Sequence, residues 1–287
     1  MDWRELYPFK PNYMTTEYGH RLHYVDEGSG HPMVMVHGNP TWSFVFRDLI
    51  REASAQGHRA IAPDLMGCGL SDKPQDWPYR LEGHIKNLEH LLDDTLKLDK
   101  MTLVLHDWGG CVGMGYATRH PEKIVRLVLM NTAAFISDDC PKAVYLCRCP
   151  FIGAFLVRGL NAFVEAALRR AVVHRLPEEV RAGYRFPYGN WHDRIATQRF
   201  VQDLPLTPKD KSYATFAEIE AKLPLFKDIP VSLIWGEQDF CIHTGFMKRW
   251  LQIYPNAEMH LFHDAGHYLL EDAGEEVIRL ILAQTPT

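Results

Sequence analysis

The sequence has no C-x-x-C pair, no run of lysine and arginine, and no uncharged apolar stretch long enough to cross a bilayer. The first absence removes the common thiolate metal sites and redox dithiols, which hold two sulfurs within one tight turn. Six cysteines remain (Cys68, Cys111, Cys140, Cys147, Cys149 and Cys241), with no histidine at metal-ligating spacing, so no metal is expected. Cys147 and Cys149 are too close in sequence for an unstrained disulfide, and all six read as free thiols of a reducing compartment. The second absence argues against nucleic acid as a partner, since 31 basic residues face 36 acidic ones and no continuous basic face forms. The most apolar stretch, Leu146 to Leu168, is broken by Arg148 and Arg158, so no membrane span is expected. The opening MDWRELYPFKPNY has early acids, two prolines and no apolar centre, unlike a secretory signal, and the expected location is cytoplasmic. With 46% hydrophobic residues and only 18 Pro and 20 Gly in 287, collagen-like, low-complexity and largely disordered chains are excluded too.

What is present is an alternation. Tyr13 to Tyr18 and Arg21 to Asp26 read as a strand pair about a Gly-His turn, and Met33 to Val36 as a short buried strand. A helical pattern follows from Trp42 to Ala55, then a strand at His58 to Pro63. Arg80 to Leu98 has the spacing of a surface helix with Leu81, Ile85, Leu88 and Leu92 on one face. Met101 to Leu105 and Ile124 to Met130 are apolar strands around a small-residue helix, Cys111 to Thr118. Continuous apolar strands separated by helices predict a parallel sheet covered on both faces. From Ala134 to Phe226 no strand pattern appears, only helical segments broken by prolines. Strands resume at Val231 to Trp235 and Glu258 to Phe262, before a last helix from Glu271 to Ala283. The layout is one core, residues 1–133 and 227–287, with a helical cap, 134–226, inserted between two strands.

The segment Val104-Leu105-His106-Asp107-Trp108-Gly109-Gly110 joins a strand to a helix as a nucleophile elbow does, with Asp107 at the exposed apex. Leu105 stands where the elbow pattern has a small residue, and an Asp N-cap alone would also account for Asp107. At a helix N-terminus a carboxylate is ionised and needs no base to attack. On an sp³ carbon it forms an ester that water can cleave, whereas serine would leave an ether. Asp107 therefore points to alkyl transfer rather than ordinary ester hydrolysis. In chain order an acid and a histidine should follow. His267, in Asp264-Ala265-Gly266-His267-Tyr268, is assigned as base, with His263 as the rival. Asp239, in Trp235-Gly236-Glu237-Gln238-Asp239, is assigned to orient the imidazole. After the strand ending at Val36 comes His37-Gly38-Asn39-Pro40-Thr41-Trp42, where an oxyanion loop belongs. The backbone N–H groups of Asn39 and Trp108 would converge on the ester oxygen, and their side chains offer two neutral donors suited to a halide leaving group.

These segments resemble the haloalkane dehalogenase family of the α/β-hydrolase superfamily, nearly end to end: HGNPTWSFVFR (37–47), APDLMGCGLSDKP (62–74), VLHDWGG (104–110), WGEQDF (235–240) and DAGHYLLED (264–272). The resemblance implies an α/β-hydrolase fold with a mostly parallel eight-stranded sheet, helices on both faces and an inserted helical cap. It implies Asp107 as nucleophile, His267 as base, and Asn39 with Trp108 as the halide pair, without metal or cofactor. Relatives place the acid after either of two strands, and because the first position here is the neutral Asn131, Asp239 is implied. The loop Asp64 to Pro74 is read as scaffolding of the sheet's rim.

The stretches Asn131 to Phe135 and Arg194 to Lys211 resemble the third dehalogenase subfamily, which is also similar to β-lactone decarboxylases that form cis-olefins. The leading expectation is hydrolytic dehalogenation of a small apolar haloalkane to alcohol and halide. The alternative is decarboxylation of a β-lactone with two alkyl tails, using the same site. Epoxide hydrolysis would need a cap tyrosine as acid, among Tyr145, Tyr184, Tyr188 and Tyr213, and Asn39 does not fit that class. A binding module on a dead hydrolase scaffold would have no reason to keep Asp107, Asp239 and His267 together. Phe151, Phe155, Leu156, Leu160 and Phe163 are expected to line the substrate pocket, although a helical apolar stripe is more often core. The slightly basic cap leaves docking of a second copy, as a homo-oligomer, or of a partner enzyme open.

Overall fold

The structure, a computed structural model, describes residues 2–286. Its eight strands are β1 (Asn12–Thr15), β2 (Arg21–Gly28), β3 (Pro32–Val36), β4 (Arg59–Pro63), β5 (Met101–Asp107), β6 (Ile124–Thr132), β7 (Val231–Gly236) and β8 (Glu258–Phe262). They form one sheet in the order β1-β2-β4-β3-β5-β6-β7-β8. The β1–β2 and β2–β4 pairings are antiparallel and the rest parallel. Val34, Val36, Leu103, Leu105, Leu127 and Leu129 enter the core on one face, while Met33, Met35, Val104, Val128 and Met130 enter the other. Burial on both faces is why these strands read as unbroken apolar runs.

Helices α1 (Arg47–Ala55), α2 (Leu81–Glu89) and α3 (Trp108–Ala117) connect the first six strands. Between β6 and β7 come α4 (Lys142–Arg148), α5 (Pro150–Ala154), α6 (Ala162–Arg170), α7 (Glu178–Arg185), α8 (Ile195–Gln202) and α9 (Tyr213–Lys222). After β7 follow α10 (Thr244–Ile253), α11 (Leu269–Asp272) and α12 (Gly274–Ala283). The helix expected over Arg80 to Leu98 ends as α at Glu89 and continues as a wider π turn, His90–Thr95. The last helix is two: it breaks at Ala273 because the Asp272 carboxylate accepts the backbone N–H groups of Val173, His174 and Gly266, which fixes the chain there.

Glycine decides how closely α3 lies on the sheet. A Cβ on Gly109 would overlap the Val36 carbonyl oxygen, so only glycine allows the first turn of α3 to sit against the end of β3. That contact brings the β3 loop and the β5 end together, and the candidate site stands between them. The helical insertion is fastened over it. Arg47 makes a bidentate pair with Glu271 at 2.6 and 2.8 Å, both side chains are buried, and the Tyr184 hydroxyl of α7 donates to the same carboxylate at 2.6 Å.

Candidate active site

Asp107 lies where β5 ends and α3 begins, with φ +50° and ψ −126°. An L-residue with a Cβ takes that conformation only under constraint, as a sharp strand-to-helix turn imposes. Two contacts supply it: Thr132 Oγ1 donates to the Asp107 carbonyl at 2.5 Å, and the Asn39 backbone N–H donates to Asp107 Oδ1 at 2.6 Å. Gly38 must be glycine here, since a Cβ would coincide with the Asp107 carboxylate. One carboxylate oxygen is thus held by the β3 loop. The other, Oδ2, lies 3.5 Å from His267 Nε2.

The opposite ring nitrogen, His267 Nδ1, is 2.7 Å from Asp239 Oδ2. Asp239 is buried and fully bonded: Oδ1 accepts the N–H groups of Cys241 (2.7 Å) and Ile242 (3.0 Å), and Oδ2 also accepts Asn131 Nδ2 (2.8 Å). The structure therefore brings Asp107, His267 and Asp239 into one line, carboxylate–imidazole–carboxylate. Burial works against both carboxylate anions. The His267 ring, together with the Asn39 N–H at Asp107 and the Cys241 and Ile242 N–H groups at Asp239, overcomes it, so both carboxyls stay below the ordinary range. Burial likewise disfavours the His267 cation, but Asp239 and Asp107 overcome it and push the imidazole up to about 10. At neutral pH the resting ring is an imidazolium between two anions. His263, the rival, is exposed and paired to Glu237 at 2.6 Å, away from this line.

The proposed donors lie under the insertion. The Trp108 ring packs on Phe200 of α8 (centroids 5.1 Å) and Phe216 of α9 (6.0 Å), and its indole N–H makes no hydrogen bond among the described residues. The Asn39 amide donates to the Thr197 carbonyl of α8 at 3.2 Å, and its Oδ1 is buried without a partner. Of the backbone donors, Asn39 N–H is engaged on Asp107, whereas Trp108 N–H makes no bond to that carboxylate.

The apolar residues expected to line the pocket do not behave as a lining. Phe151 (89% exposed), Phe155 and Leu160 point to solvent, and only Leu156 and Phe163 are half-buried. The reason is that Gly153, Val157, Val164 and Leu168 already form the inner face of the same stretch. The buried cap tyrosines are committed elsewhere, Tyr184 to Glu271 and Tyr188 to the Thr41 carbonyl (3.2 Å), while Tyr145 is exposed. The rim loop behaves as scaffold: buried Asp64 takes the N–H groups of Ser43 and Leu70 and pairs with His23 at 2.7 Å.

Two residues support the line in ways the sequence did not indicate: Asn131 stood only as the neutral occupant of an acid position, and His106 had no role. Asn131, at φ +36°, bridges strands: its Oδ1 accepts the Gly236 N–H (2.9 Å) while Nδ2 serves Asp239. His106 Nε2 donates to the His267 carbonyl (2.8 Å), with the two rings 4.7 Å apart. Burial, then the neighbouring His267 charge, pushes His106 down to about 4, so it stays neutral. The signal for Asn131 was its place at the end of β6, where an acid was sought and an amide found. His106 carried none, because a histidine inside an apolar strand reads as core.

The α/β-hydrolase-fold profile matches residues 31–274. A "Cis-3-alkyl-4-alkyloxetan-2-one decarboxylase" of Shewanella oneidensis is 47% identical over 279 residues, covering 95% of this chain and 87% of that one. "Haloalkane dehalogenase 2" of Mycobacterium tuberculosis is 31% identical over 285 residues, covering 97% and 96%. Among solved structures, a putative ancestral haloalkane dehalogenase superposes with a TM-score of 0.86 at 28% identity, covering 95% of this chain and 97% of that one. The chain is thus an enzyme that belongs to the α/β-hydrolase fold family, alongside oxetanone decarboxylases and haloalkane dehalogenases.

Proposed function

We propose that the enzyme decarboxylates cis-3,4-dialkyl β-lactones, with Asp107 as nucleophile. The observation that carries this reading is the relatedness gradient: 47% identity to an oxetanone decarboxylase over nearly the whole chain, against 31% to a dehalogenase over the same span. It reverses the order of preference expected from the motifs, which both activities share. Asp107 Oδ2 attacks ring carbon C4 opposite the ring oxygen. The C4–O bond breaks, and its electron pair leaves on what becomes a carboxylate attached to C3. The C3–carboxylate bonding pair then forms the C=C bond, CO₂ departs, and the C4–O bond to Asp107 breaks with its pair returning to the aspartate. One inversion followed by anti expulsion converts a cis ring into a cis alkene. Water, proton and electrons are not consumed.

The charge balance at His267 suits this route. Ring opening creates a carboxylate as Asp107 becomes a neutral ester, so the site keeps its negative charge and His267 keeps its proton. The Asn39 N–H already sits on Oδ1, the oxygen that becomes the ester carbonyl. A second reading, hydrolytic dehalogenation, is favoured by the unbonded Trp108 indole N–H beside Asp107. There the halide carries the charge away, the His267 imidazolium loses one anionic neighbour and releases its proton to solvent, and the neutral ring becomes the base that activates water. The experiment supplies a cis-3,4-dialkyl oxetan-2-one in ¹⁸O-water and, separately, a 1-bromoalkane. Equimolar cis-alkene and CO₂ with no ¹⁸O-labelled hydroxy acid, abolished by Asp107→Ala, is the expected result. Bromide release without alkene from the lactone would replace decarboxylation with the second reading.

A further inference from the structure

The outer face of the insertion is unlike the rest of the surface. Leu146, Phe151, Ile152, Phe155 and Leu160 are all more than 40% exposed and fall within fifteen residues along α4, α5 and the turn that follows. Because Gly153, Val157, Val164 and Leu168 fill the inner face, this stretch is apolar on both sides, and isolated exposure of single residues does not describe it. No single helix among the described residues is long and apolar enough to cross a membrane. Pro150–Gly159 with Ala162–Arg170 reach that apolarity only as a pair bent by 67°. Each arm of about 15 Å is half the thickness of a bilayer's hydrocarbon, which suits lying on a surface rather than crossing it.

Charge selects the surface. Lys142 on α4 and Arg169 and Arg170 at the far end of α6 are exposed, and none forms a salt bridge among the described residues, although Arg169 lies near Glu165 and Arg170 stacks on Phe240 at 5.0 Å. Arg158 bonds the Trp191 carbonyl and Gln75 rather than an acid, and nearby Arg199, bonded only to Gln202, opposes its charge. Trp191, 49% exposed, lies under Arg158 with 4.7 Å from guanidinium to ring. An apolar face that carries Lys142 and Arg158 without a carboxylate partner, with an indole at its margin, complements an anionic lipid interface, where headgroup phosphates meet the cations and acyl chains the phenyl rings.

We infer that the α4–α6 face docks the enzyme on an anionic phospholipid surface. Its purpose rests on the lactone reading, because a lactone with two alkyl tails partitions into lipid, but docking itself needs no substrate. The test is sedimentation of the full chain, without substrate, with vesicles of phosphatidylethanolamine and roughly a third phosphatidylglycerol, against pure phosphatidylcholine. Binding to the anionic vesicles only is expected, weakening with salt. Phe151→Asp with Phe155→Asp, and separately Lys142→Glu with Arg169→Glu and Arg170→Glu, should each weaken it about tenfold or more, with circular-dichroism melts unchanged. No binding, equal binding to phosphatidylcholine, or binding indifferent to both variants overturns the inference. So does a concentration-dependent dimer in light scattering that Phe151→Asp abolishes, which would assign the face to a second copy. Activity on the lactone is measured separately in detergent, so either idea can fail alone.

Discussion

Replacing Asp107 by Asn removes one charge while keeping shape, and the consequence falls on His267. The 3.5 Å separation between His267 Nε2 and Asp107 Oδ2 is worth about 4.7 kcal/mol at an effective dielectric of about 20. That energy is a factor of about 3000 in proton affinity. The imidazole, pushed up to about 10 in the native site, should therefore titrate near 6.5 in Asp107→Asn, where Asp239 alone offsets burial. Two-bond ¹H–¹⁵N NMR of the imidazole ring reads this directly. Stability should follow. With its folded value raised above the ordinary 6.5, the charged His267 stabilises the fold fully below about pH 6.5 and loses that contribution as pH climbs through about 10. Native protein should therefore lose more stability than Asp107→Asn between pH 7 and 10. If His267 still titrates near 10 in the variant, or already near 6.5 in the native enzyme, Asp107 does not hold the proton. Alkylation of Asp107 would then free no base.

Asn131→Leu should destabilise the fold by about 3 kcal/mol in urea unfolding: the buried Gly236 N–H loses its acceptor, Asp239 loses a donor, and φ +36° strains a branched side chain. Asn131→Gly should recover the conformational share only, and equal losses in the two variants would contradict that division. Arg47→Met leaves Glu271 buried and charged, and should cost about 3–5 kcal/mol, against about 1 kcal/mol for Tyr184→Phe. A loss for Arg47→Met no larger than that for Tyr184→Phe would contradict the ranking of the two contacts.

The sheet was legible because its central strands are buried on both faces, and a run such as Met101–Leu105 is too short for a helix and too apolar for an exposed edge. The Asp107–His267–Asp239 line was legible for a different reason: each member stands at the C-terminal end of a strand or in the loop after one, and elbow grammar names those places. What escaped was whatever depends on a neighbour from elsewhere in the chain. Phe151 and Phe155 carry the same letters whether they face a pocket or solvent, and the choice was made by Gly153 and Val157 filling the inner side. The second half of the expected Arg80–Leu98 helix widens into a π segment that no periodicity signals. Asn131 and His106 act through Gly236, Asp239 and the His267 carbonyl, residues more than a hundred positions away.

The bolts over the site are unevenly distributed. Tyr184 anchors α7 to Glu271, Tyr188 and Thr197 tie the next stretch to Thr41 and Asn39, and Asp203 is clamped by Arg80 and the Leu81 N–H. Helix α4, by contrast, reaches out through Arg148 only to Leu204 and Asp210 of the insertion itself. The core takes hold on either side of this stretch, His243 on Asp139 before it and Gln75 on Arg158 after it, so α4 and α5 hang between two pegs with no peg of their own.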